Sequence, residues 1–218
     1  MKAIFCIATG SETYLQLALN LGLSIKANST IDTVLLHTIE PLNGLKWSQQ
    51  DADLIFGYAF DKMMRIVPDE KYCTAPLEQA HYIKLSAYQI AKDLGYSEVL
   101  ILDSDTLVVP SKSPEKWFDE VGETNFTAYC NAYFDFTTGK QSKAGYTFWC
   151  EPKEAMQKFE LTDKMPQINA SFIYFKISEQ AEKVFQTAKN IWETVDESGF
   201  EYEKYNGSKT EEMCLNIA

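Results

Sequence analysis

A continuous apolar run that stops at two acids sets the frame for this chain. After Glu98 the sequence reads Val-Leu-Ile-Leu, meets Asp103-Ser104-Asp105, and turns apolar again over Thr106 to Val109. Such a run, with no polar alternation, predicts a strand covered on both faces, resuming after the acids. Burying an unpaired carboxylate costs roughly several kcal/mol, so something positive must meet Asp103 and Asp105. Basic side chains are one answer. A hard divalent cation fits better, because Mg²⁺ and Mn²⁺ prefer carboxylate, water and phosphate oxygens. The motif therefore predicts a metal–diphosphate site with Asp103 and Asp105 as the metal ligands.

The flanking sequence predicts an α/β chain. Lys2 to Ala8 reads as a buried strand, and Ser11 is a natural N-cap for a helix reaching about Lys26. Asp32 to Thr38 is a second strand, and the resulting βαβ unit implies a parallel sheet with its ligand chemistry at the carboxyl ends of the strands. That puts Ala8, Thr9 and Gly10 on the functional rim. Between Trp47 and Asp61 the pattern is ambiguous: Asp53 to Gly57 suits a short strand and Tyr58 to Met64 a helix. Thr74 and Pro76 open a helix to Leu94, closed by Gly95, with Lys84 and Tyr88 four residues apart on one face.

Beyond the acid pair, Ser113-Pro114 begins a helix to Val121, and Asn125 to Cys130 reads as a strand. The segment Asn131 to Lys164, rich in aromatic residues, Gly and Lys, predicts a functional loop with a possible strand at Thr147 to Cys150. Ile168 to Phe175 is a strong strand, Glu179 to Glu197 a helix, and Thr210 the N-cap of a further helix.

Composition bounds the class. With 218 residues, the chain fits one α/β domain: a nucleotide-binding half over about 1–110 and an acceptor-side half over about 111–218. Its net charge of −11, with no basic run, argues against nucleic acid and anionic lipid as partners. The five cysteines are scattered and show no metal-binding spacing, which suggests reduced thiols. No segment has the roughly 18 apolar residues of a membrane span, and the apolar stretch after Lys2 is too short for a signal peptide. The expected location is cytoplasmic; the oligomeric state is not legible.

Several of these pieces together resemble the GT-A fold of nucleotide-sugar glycosyltransferases, most closely the glycogenin and galactosyl/glucosyltransferase family. They are Ile7-Ala-Thr9 followed by Tyr14, Lys84-Leu85, Leu102 to Val108, Ile168-Asn169-Ala-Ser-Phe172, and Glu211-Glu212-Met-Cys-Leu-Asn216. The resemblance implies a single Rossmann-like domain with a mostly parallel central sheet flanked by helices, one strand ending in the Asp-x-Asp motif. It implies that Asp103 and Asp105 hold Mn²⁺ or Mg²⁺, and that Ala8, Thr9, Tyr14, Lys84, Asp103 and Ser104 bind a nucleoside-diphosphate sugar, with UDP the expected nucleotide. It places Asn169, Glu211 and Glu212 as the catalytic residues at the transferred sugar. Two positions depart from the family: Ser171 stands where a Gly is usual, and the third metal ligand, a His in a later Gly- and Lys-containing motif, has no counterpart in His37 or His81.

The chemistry expected is transfer of a sugar to an acceptor that is a glycan, a protein or a small molecule, docked against the aromatic segment around Trp149. Asn169, Glu211 and Glu212 are the groups available to stabilise an oxocarbenium-like centre. A non-catalytic nucleotide-sugar-binding domain is the alternative. A haloacid-dehalogenase-type phosphatase fits less well, since its motif needs Thr or Val where Leu107 stands. Each residue also has an ordinary structural explanation: Lys84 pairing on a helix face, Asn169 in a bulge, Glu211 and Glu212 in a helix first turn, His81 as a plain helix residue.

Overall fold

A computed structural model describes residues 1–39, 49–111 and 113–218. Strand β1 (Lys2–Ala8), helix α1 (Glu12–Lys26) and strand β2 (Asp32–His37) form the βαβ unit that the apolar pattern predicts, β1 and β2 pairing in parallel. Trp47 lies outside the described residues. The ambiguous segment after it resolves against both expectations. Helix α2 (Gln49–Ala59) runs through Asp53–Gly57, and strand β3 (Lys62–Arg65) lies where a helix was expected. Phe56, Ala59 and Phe60 pack on α1, and a Cβ at Gly22 would sit 2.7 Å from the Phe60 ring. That close approach explains why the face of α1 beneath α2 carries no side chain there.

Helix α3 (Pro76–Asp93) begins with Glu78 accepting from the Thr74 and Ala75 N–H groups at 2.9 and 3.4 Å and ends beside Gly95 at φ +76°. Strand β4 (Glu98–Leu102) follows, parallel to β1. It stops at the acids. The expected resumption over Thr106 to Val109 does not occur, because Thr106 folds back and its N–H and hydroxyl both bond the Asp103 carbonyl, at 3.1 and 2.7 Å. Helix α4 (Pro114–Val121) leads to strand β5 (Phe126–Asp135), which outruns its expected end at Cys130. The segment expected as one long loop holds the rest of β5, strand β6 (Lys140–Gln141) and helix α5 (Pro152–Phe159). Thr147 to Cys150 forms only a single bridge, Cys150 to Tyr202. Strand β7 (Lys164–Lys176), helix α6 (Glu179–Thr194), a 3₁₀ turn (Val195–Glu197) and helix α7 (Glu211–Ile217) complete the order.

The sheet runs β3-β2-β1-β4-β7-β5-β6. Strands β1 to β4 are parallel, as expected; β7 is antiparallel to β4 and to β5, so the sheet is mixed beyond β4. Alternate residues of the central strands feed two cores. Phe5, Val99 and Ile101 meet α3, α6 and α7 on one face, while Ile4, Cys6 and Leu100 meet α1, α2 and Phe118 of α4 on the other. No helix among the described residues is long and apolar enough to cross a membrane.

Candidate functional site

The parallel strands deliver their carboxyl ends to one rim. Cys6 of β1 lies opposite Leu102 of β4, so the turns that carry Thr9 and Asp103 leave the sheet at the same edge. The turn after β1 is pinned to the start of α3. Gly10 has φ +74°, and a Cβ there would meet the Pro76 side chain at 2.2 Å. The Thr9 hydroxyl donates to the Pro76 carbonyl at 2.8 Å.

The third wall comes from an irregularity in β7. Ala128 pairs with Ile173 and the next β5 residue, Tyr129, with Asn169, so residues 170–172 bulge away from β5. Their backbone groups need other partners, and the site supplies them. The Ala170 N–H donates to Glu212 Oε1 at 3.0 Å and its carbonyl accepts from Lys84 Nζ at 3.2 Å. The Ser171 N–H donates to Asn169 Oδ1 at 3.0 Å and its carbonyl accepts the Asp103 N–H at 3.2 Å. Just before the bulge, the Ile168 N–H donates to Asn216 Oδ1 of α7 at 2.8 Å.

These walls enclose a cleft of about 710 Å³ lined by Thr9, Tyr14, Lys84, Asp103, Ser104, Asp105, Asn169, Glu211 and Glu212. Every site residue expected from the sequence is there except Ala8, whose side chain packs into the core against α1. Tyr14 stands at the mouth, 48% exposed. The cleft also takes in residues not expected at it: His81, Tyr205, Asn206, Ser208 and Thr210. For His81 the available signal was its spacing, three residues before Lys84 and thus on the same face of α3.

Lys84 sits at the centre and is buried. Its ammonium reaches Asp103 Oδ1 at 2.6 Å, Glu211 Oε1 at 2.7 Å and the Ala170 carbonyl, so all three N–H donors are engaged. Glu211, 1% exposed, meets Lys84 with one oxygen and His81 Nδ1 with the other. Burial alone would raise the Glu211 pKa, yet the adjoining His81 ring and the Lys84 ammonium hold it well below the usual range. The same two carboxylates outweigh burial at Lys84 and hold its pKa above normal. At Asp103 burial wins over Lys84, with Glu211 and Asp105 adding to it, and the pKa is raised. Burial also raises Glu212, which accepts from the Ala170 N–H and, at 2.9 Å, from the Trp149 indole.

Negative charge therefore exceeds positive in the cleft. Asp103, Asp105, Glu211 and Glu212 face Lys84 and a histidine. Asp103 retains an oxygen beyond the one paired with Lys84, and Asp105 is exposed. A carboxylate pair of this kind fits a hard cation. Among the described residues no group of three or more His, Cys, Asp and Glu side chains is arranged to hold a metal.

No family model and no curated protein sequence matches the chain. Solved structures do. The chain is similar to the galactosyltransferase LgtC in complex with donor and acceptor sugar analogues, at 17% identity over 100% of this chain and 70% of that one, with a TM-score of 0.61. An active-site mutant of LgtC matches at 18% identity over 100% and 69%, with a TM-score of 0.60. Mouse xyloside xylosyltransferase 1 in its apo form matches at 10% identity over 100% and 81%, with a TM-score of 0.53. At such identities the likeness establishes a shared architecture: the mixed sheet flanked by helices is the GT-A fold of these glycosyltransferases.

Proposed function

We propose that this chain is a metal-dependent glycosyltransferase that moves a sugar from a nucleoside-diphosphate sugar, with UDP the expected nucleotide, to a hydroxyl acceptor. The observation that carries this reading is the convergence of Asp103, Asp105, Asn169, Glu211 and Glu212 in one cleft at the carboxyl rim of a glycosyltransferase fold. Asp103 and Asp105 would hold Mn²⁺ or Mg²⁺, which supplies charge neutralisation for the departing diphosphate. Thr9 and Tyr14 border the space for the nucleoside, and Ser104 lies between the two acids.

In the reaction the bond from the anomeric carbon to the diphosphate oxygen breaks, and its electron pair leaves with the nucleotide. A bond forms from the acceptor oxygen to that carbon, and the acceptor proton is released. Glu212 and Asn169 offer oxygens to the positive charge that develops on the sugar. The resemblance implies that Lys84 faces the donor's diphosphate or sugar. With its donors committed to Asp103, Glu211 and Ala170, it is better read as the group that fixes the two carboxylates. The aromatic side chains of the 131–164 segment, Trp149 among them, suit the face of an acceptor sugar.

Thermal unfolding with UDP, GDP or ADP, each with and without Mn²⁺, tests the reading. Stabilisation by one nucleotide only when metal is present supports it, and D103N/D105N should abolish that shift. No shift with any nucleotide, together with hydrolysis of a generic phosphate ester, would point to a phosphatase. Binding without release of UDP from UDP-glucose or UDP-galactose, across many acceptors, would leave a binding domain without turnover.

A further inference from the structure

Trp149 has a backbone that ordinary packing does not call for. Its φ is +63°, a region that bulky side chains rarely enter. The surroundings enforce it. Its N–H donates to the Thr147 hydroxyl at 3.2 Å, and that hydroxyl donates to Glu203 at 3.1 Å. Its carbonyl accepts from the Glu203 N–H at 2.7 Å, and the next residue, Cys150, bridges to Tyr202. The Tyr205 ring then meets the indole edge-to-face at 5.9 Å and 76°. Tyr205 is itself set by a two-residue Asn-Gly turn, with Asn206 at φ +50°, Gly207 at φ +82°, and paired bonds between Tyr205 and Ser208 at 2.9 Å.

This scaffolding aims one atom. The indole Nε1–H points at Glu212 Oε2 from 2.9 Å, while the Ala170 N–H holds Oε1 from the sheet side. The carboxylate is thus fixed between a loop and a strand at the base of the cleft. Phe would keep an aromatic ring there while removing the donor, and the comparison with E212Q separates the lost polar contact from the lost volume.

We propose that Trp149 is the positioning residue for Glu212, fixing through its indole N–H the carboxylate that faces the reacting carbon. This rests on the transferase reading for its consequence in turnover, but the contact can be read without it. Persistent left-handed backbone at such a residue is characteristic of functional sites, where neighbouring structure over-determines it.

The test uses wild type, W149F, E212Q and the double variant with Mn²⁺ and UDP-glucose or UDP-galactose, following UDP release with water as acceptor. W149F should lower kcat about tenfold while the KM for the sugar nucleotide stays within about twofold, as for a contact that matters at the transition state. The double variant should be no slower than E212Q, because Trp149 acts through Glu212. Wild-type turnover by W149F, or losses that multiply in the double variant, would overturn the proposal. If the wild type releases no UDP to water, the indole ¹H–¹⁵N resonance that disappears in W149F decides the contact independently of turnover. Its displacement in E212A supports the positioning role; an unmoved resonance overturns it.

Discussion

At the scale of single residues, Lys84 explains how so much charge can be buried beside the cleft. Its ammonium satisfies Asp103, Glu211 and the Ala170 carbonyl together, and the Glu211 oxygen that Lys84 leaves lies against His81 Nδ1. Such a cluster adds little net stability over apolar packing, but breaking it from one side strands the remaining charge. E211Q should therefore cost about 3 kcal/mol in urea unfolding at neutral pH. The folded pKa of Glu211 lies below its ordinary 4.5, so its contribution is complete above that value and is lost as the pH falls through the folded pKa. The stability gap between wild type and E211Q should narrow accordingly on acidification. Asp103 has the opposite sign. Burial raises its pKa, so protons compete there earlier, and Mn²⁺ affinity measured by calorimetry should decline at a higher pH than for an ordinary aspartate. The acids and Asn169 were legible from the local motifs and the resemblance they carry. The roles of Lys84 and His81 were not, because a partner more than a hundred residues away leaves no local trace.

At the scale of elements, the bulge at residues 170–172 does the most to shape the cleft. Around the bulge, side chains of α7 supply partners to β7 backbone groups, Asn216 to the Ile168 N–H just before it and Glu212 to the Ala170 N–H within it. N216A should leave the buried Ile168 N–H unpaired and cost about 1–3 kcal/mol, read as a lower denaturation midpoint with an unchanged slope. The turn after β1 is equally constrained. G10A adds a left-handed alanine to a collision with Pro76, and should lower Tm while displacing Thr9 from the rim, seen as weaker nucleotide binding. The long periodic helices and the apolar strands were readable because burial writes a period into them. Strand β3 has only four residues, and α5 lies within a segment whose aromatic and glycine content masks its eight-residue helix. The apolar stretch after Asp105 misled for another reason: only Val108 is buried there, while Leu107 and Val109 are 63% and 50% exposed.

At the scale of the whole molecule, a ligand that binds only the assembled cleft should stabilise everything that builds it. Saturation at a hundred times Kd contributes about 2.7 kcal/mol, which for a chain of this size corresponds to a rise in Tm of roughly 5–10 °C. UDP and Mn²⁺ together should produce a shift of that order, and either alone much less. The strand order carries one more implication. β4 bears the acid pair, yet one of its edges is completed by β7, and the Asp103 N–H is held by Ser171. A polypeptide emerging from the ribosome has β1 to β4 in hand well before β7 and α7 appear. Until then β4 shows a bare hydrogen-bonding edge, and the wall of the cleft that Asn169, Glu211 and Glu212 supply is missing.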